Sequence, residues 1–224
     1  MASVSVAKAQ GAGTGALLFA CVAEHGSAAH PYFASGTLAT GPDSARNLAD
    51  AVHFLCALHG RHPGIVDLAA GRSIEPPARA WLTAAAEAMG AERSYLTRLA
   101  VAVGPVPSTP GGAGSESAVI GQRSALSILA QSDRKGCALG AALAFAVDWT
   151  PIRALLDGAA RRVGIDVPPC RLGEEASLGP VADAVGEAAA ATERALLFGA
   201  QQLSLQHRGL WDLLEARQQA RRDY

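Results

Sequence analysis

A chain of 224 residues, half of them hydrophobic and 17% charged, is long enough to bury a sizeable core and too apolar for extended disorder. Lys+Arg 19 against Asp+Glu 20 leave a net charge of −1, so the chain lacks the electrostatic footprint of a nucleic-acid binder. Its four cysteines (Cys21, Cys56, Cys137, Cys170) contain no Cys-x-x-Cys pair, which excludes a zinc ribbon or a thioredoxin-type motif. Reduced thiols and a cytoplasmic location are expected from that pattern.

Residues 1–42 are rich in Gly, Ala, Ser and Thr and are expected to form an irregular segment packed on the body. Within it, Ala16 to Ala23 reads as a short strand or helix. The same stretch has a faint leader-like shape, with Lys8 ahead of a short apolar run. No run approaches the ~20 apolar residues of a membrane span, so no membrane partner is expected.

The body, 43–224, reads as helices. Asp43 or Ser44 caps a helix over 44–59 whose face is Leu48, Val52, Leu55 and His59, and Gly60 and Pro63 break it before a short piece over 64–70. Pro76-Pro77 opens a helix to about Val103, with Leu82, Ala85, Met89, Glu92, Leu96 and Leu99 on one face. Gly104 to Gly114, stiffened by three prolines, makes a long connection. A helix over 116–149 follows, with Val119, Gln122, Leu126, Leu129, Asp133, Cys137, Gly140, Ala144 and Asp148 in one stripe. Gly136, Gly140 and Ala141 invite close approach by another helix. Pro151 should end or kink it ahead of a shorter helix over 152–163. After a loop over 164–180, the last helix, 180–221, carries Glu193, Leu196, Ala200, Leu203, His207, Leu210, Trp211 and Leu214. Its closing Arg217, Arg221 and Arg222 complement the helix dipole. No strand pattern appears. The expected fold is all-α: an antiparallel bundle of four long helices plus shorter ones.

Three strings place a polar residue and an arginine on these helices: Glu92-Arg93, Gln122-Arg123 and Glu193-Arg194. A core stripe excludes a carboxylate unless a partner pairs with it. Adjacent residues on one helix do not face each other, so the partners of Arg93, Arg123 and Arg194 should lie on neighbouring helices. The interior polar set His59, Glu92, Asp133, Glu193 and His207 supplies the candidates for a ligand pocket. The logic is that of carboxylate-bridged metal sites in ferritin-like bundles, but their Glu-x-x-His pairs are missing. Asp50-x-x-His53 is off the stripe, and His53, Cys56, His59 and His62 spiral around their helix instead of converging. No metal, cofactor or catalytic residue is assigned.

The cysteines read as buried and inert, and the glycine-rich runs at Gly11 and Gly111 lack the Lys-Ser/Thr ending of a phosphate loop. His62 to Arg72 echoes His207 to Arg217, with His, Gly, Asp, Leu and Arg matched, which reads as either a duplicated helical pair or convergence. Two functional readings remain. One is a non-catalytic structural or interaction domain, with a second copy as candidate partner. The other is a bundle with an internal polar pocket for a small molecule or metal.

Overall fold

A computed structural model describes residues 13–172 and 175–223, among which every regular element is helical. In chain order these are α1 (Thr14–His25), a 3-10 turn (Ser27–Ala29), α2 (Pro31–Ala34), α3 (Ser44–His59) and α4 (Ile65–Ala70). Then come α5 (Pro76–Ala102), α6 (Gly112–Ala130), α7 (Cys137–Arg162), α8 (Glu175–Gly186) and α9 (Ala190–Arg222). The all-α class read from alanine richness and helical periodicity is therefore observed.

α7 is the axis of the structure. Every residue from Cys137 to Trp149 is buried, as expected of a helix apolar on all sides. It is long and apolar enough to cross a bilayer by composition, but 78% of its apolar window lies inside the fold. Its main partner is α9. A Cβ on Gly140 would stand 1.9 Å from the Leu196 carbonyl oxygen, and one on Gly199 would stand 2.0 Å from the Cys137 carbonyl oxygen. Only glycine allows the two backbones to run this close. α1 lies on α8 and α9, α3 on α5 and α6, and α4 on α5, α6 and α7.

Four expectations need correction. The segment expected to be irregular is mostly helical from Thr14 to Ala34, because Leu18, Val22 and Tyr32 bury themselves in the core. Residues 1–12, with Lys8 and the start of the Gly11 run, lie outside the described residues. The helix expected over 116–149 is two helices, parted at 131–136 by the polar run Ser132 to Lys135 and by Gly136 at φ 91. α7 then runs through Pro151 to Arg162. The proline forfeits the bond to the Val147 carbonyl, while the turns beyond it bury Ile152, Leu156, Ala159 and Ala160. The helix expected over 180–221 is likewise two, α8 and α9, parted at 187–189.

Candidate functional site

The buried polar groups of α7 organise two linked networks. In the first, Asp148 of α7 receives three hydrogen bonds. Ser27 donates its backbone N–H to Oδ1 at 2.7 Å and its hydroxyl to Oδ2 at 2.6 Å. His207 of α9 bonds Oδ2 through Nδ1 at 2.6 Å. Burial pushes the Asp148 carboxyl up, but the bonds from His207 and Ser27 outweigh it and hold the group below its usual range. An ionised Asp148 requires the proton on His207 Nδ1. The far nitrogen of that ring, Nε2, stands 3.0 Å from Nε2 of His59 on α3. Burial, and after it the neighbouring His207, hold His59 well below its ordinary pKa, so His59 is neutral. One proton therefore sits between the two Nε2 atoms, and the chain Ser27–Asp148–His207–His59 is continuous.

All four residues are at most 5% exposed. The order differs from a nucleophilic triad, in which histidine stands between serine and acid. Here the acid stands between, and the Ser27 hydroxyl has already given its proton bond to Asp148. Nothing in this arrangement activates Ser27 as a nucleophile.

Trp149, next to Asp148, joins this chain to the second network. Its ring packs edge-on to His59 with centroids 5.7 Å apart, and its indole N–H donates to Glu92 Oε2 at 2.9 Å. The same oxygen accepts from Arg153 Nε at 2.8 Å. Arg153 also pairs with Asp157 one turn on, donates to the Pro168 carbonyl at 2.6 Å, and lies 4.1 Å over the Tyr95 ring. Tyr95 in turn donates to Asp157 Oδ1 at 3.0 Å. Glu92 and Arg153 are both nearly fully buried, so α5 and α7 are pinned by a desolvated pair.

A third cluster closes the other end of α9. Arg217 grips Asp50 of α3 with two nitrogens, at 2.8 and 3.1 Å, and Arg221 pairs with the same carboxylate. Arg217 also donates to the Pro107 carbonyl at 3.1 Å, which ties the proline-rich connection to the body. These arginines do more than complement a dipole.

The sequence-derived candidates separate in space. His59 and His207 meet directly. Glu92 belongs to the Arg153 network and connects to His59 through Trp149. Asp133 is exposed in the 131–136 turn, its side chain 92% accessible, where it pairs with Arg72. Glu193 is half-exposed in the first turn of α9, outside the polar networks. Asp133 leaves the stripe because the helix breaks at 131–136, and Glu193 is half-exposed because α9 begins only at Ala190, so its first turn lies at the end of the stripe. The arginine partners differ too. Arg93 pairs with Asp67 of α4 at 2.8 Å, while Arg123 and Arg194 have no carboxylate partner among the described residues. Asp50, Asp148, Arg153 and Ser27 were missed as site residues, although Asp148 was placed on the stripe. The matched His62 and His207 segments sit in unlike backbone, a loop leading into α4 against the unbroken α9.

His30, Asp212 and Glu215 group their ligand atoms within 4.8 Å of one another. His30 Nδ1, however, accepts the Tyr32 N–H at 3.1 Å, so Nε2 carries the proton and donates to Asp212 at 2.9 Å. That is a hydrogen bond, with no lone pair left on the ring for a metal. Burial raises the thiols of Cys21 and Cys56, the opposite of what a reactive thiolate needs.

No curated protein and no solved structure matches the chain. A family profile does, over residues 22–222, which spans all three polar clusters. The chain belongs to that family, DUF6975, a family of unknown function.

Proposed function

We propose that this chain is a non-catalytic helical domain, structural or interaction-forming, whose buried charges are committed to packing its helices. One observation carries the reading: each deeply buried carboxylate among the described residues is already engaged by donors from other elements. Asp148 holds three hydrogen bonds, Glu92 two, and Asp50 two arginines. A general acid, base or metal ligand needs an open atom within reach of a substrate, and these carboxylates face other side chains instead. Interhelical pairs of this kind add little net stability but fix which helix sits against which.

The test is thermal. Glu92→Gln and Asp148→Asn each remove a charge while keeping shape, converting charge-assisted bonds into neutral ones. Each should lose ~1–3 kcal/mol and melt lower than the parent. Two variants with the parent's melting temperature would sink the reading and return those acids to a functional role.

A further inference from the structure

We propose that the slot between α3 and α6 binds a monoanionic carboxylate carried on a medium-length apolar body, such as a medium-chain fatty acid, with its head at His59. This goes beyond the packing role proposed above, since it uses an edge of the polar network that packing leaves open.

Three observations converge. His59 is 95% buried by its 5% exposure, and its Nε2 faces His207, but its Nδ1 has no partner among the described residues. His59 lines a cavity of about 40 Å³ between α3, α4 and α6, together with Arg61, Gly64, Arg123 and Ser127. A water needs roughly 10–15 Å³ of such space, so a carboxylate group fits.

The second observation is continuity. Arg61 and Arg123 also line a groove of about 360 Å³ whose walls include Phe54, Ala57, Val106, Val119 and Ile120. That volume lies in the range of small-molecule sites. Two of its large apolar side chains, Ile120 and Val106, are 54% and 45% exposed, so an apolar occupant would cover them.

The third is charge. Arg93, Arg153, Arg217 and Arg221 each hold a carboxylate. Arg61 and Arg123, at the junction of cavity and groove, hold none among the described residues. Their forks suit a carboxylate. Glu116 on the groove wall offsets one of the two, leaving a single positive charge, which favours a monoanion over a phosphate dianion.

The relay behind His59 responds to such a head. A carboxylate at Nδ1 needs an N–H there. Nδ1 takes a proton from solvent, the shared proton passes from His59 Nε2 to His207 Nε2, and His207 becomes an imidazolium facing ionised Asp148. Every bond in the chain is kept, and one proton is taken up per ligand.

Isothermal titration of the full chain with decanoate, decanol and decyl phosphate tests this. Decanoate should bind at least ten-fold more tightly than either of the others. Arg123→Gln should weaken decanoate at least ten-fold with an unchanged melting temperature, because that arginine has no hydrogen-bond or ion-pair partner among the described residues. The ¹⁵N resonance of His59 Nδ1 should move from the range of a bare nitrogen to that of a protonated one on adding decanoate. No decanoate binding to the folded chain overturns the proposal, as does full affinity in Arg123→Gln or a static Nδ1 resonance. Decanol binding as tightly as decanoate removes the charge argument, and tighter decyl phosphate removes the monoanion assignment.

Discussion

Replacing Arg153 by methionine would expose how much of this interior is electrostatic. The guanidinium is 5% exposed and the carboxylate it meets, Glu92, is 1% exposed. Methionine matches the aliphatic stem but removes every donor, so Glu92 loses its charged partner and keeps the Trp149 indole N–H, and Asp157 keeps Tyr95. Breaking a buried pair from one side strands the other charge at a cost of ~3–5 kcal/mol. At ~2–4 °C per kcal/mol for a chain of this size, the variant should melt ~6–20 °C below the parent.

The decisive measurement is the second mutation. Adding Glu92→Gln to Arg153→Met removes the stranded charge and leaves an amide whose oxygen still accepts from Trp149. The double variant should therefore be more stable than Arg153→Met alone, recovering at least half of the loss in denaturant titrations. A double-mutant cycle isolates this coupling because the two side chains share one hydrogen bond. An Arg153→Met variant that melts within about 2 °C of the parent would show that the buried charge contributes nothing. Two losses that simply add would show the same and make Arg153 a packing stem over Tyr95 and nothing more.

Two other outcomes follow from the same structure. His59 lies well below its ordinary 6.5 when folded, so under about pH 6.5 the unfolded chain binds a proton the folded one refuses, and stability falls as pH drops. The slope should steepen below pH 6.5 towards ~1.4 kcal/mol per pH unit and flatten in His59→Gln; an identical slope in that variant would discard the assignment. Gly140→Ala should destabilise by more than the ~1 kcal/mol that alanine gains in a helix, since its Cβ meets the Leu196 carbonyl at 1.9 Å, whereas Gly158→Ala, with open space around it on α7, should raise the melting temperature slightly. A Gly140→Ala variant as stable as Gly158→Ala would contradict the close α7–α9 approach.

How far the sequence could be read depended on where its punctuation is unambiguous. α3, α4 and α5 fall within a residue or so of their expected bounds because Gly60, Pro63, Pro76-Pro77 and Gly104 stop the chain chemically. The break at 131–136 was hidden because Leu129, Asp133 and Cys137 keep a step of four across a turn, so the apolar stripe appeared continuous. The informative signal there was the run Ser132-Asp133-Arg134-Lys135-Gly136, four polar residues followed by a glycine that takes φ 91. In the site, His59 and His207 were legible because each lies on its own helix's apolar face. Ser27 was not, since it acts from a short turn between helices, and its partner Asp148 is 121 residues away. Arg153 was hidden likewise. Its position past Pro151 suggested a new helix, and no local pattern names Glu92, 61 residues earlier, as its mate.

The placement of these polar groups follows from what the apolar ones cannot do. From Ala138 to Ala146, α7 presents mostly alanine with Leu139, Leu143 and Phe145 between, all buried. An alanine-rich face is nearly smooth, so sliding α9 along it by one turn of ~5.4 Å would exchange one set of small contacts for another of similar area. Two features forbid the slip. The glycines at 140 and 199 would leave the carbonyls they clear, bringing a larger side chain into a gap that admits none. His207 would also leave Asp148, stranding an ionised carboxylate that is 1% exposed and breaking the bond to His59 in the same step. The apolar core supplies the driving force without choosing a register, and the glycine contacts and the Asp148–His207–His59 chain choose it. This is why the polar groups concentrate on the helix with the least shape of its own.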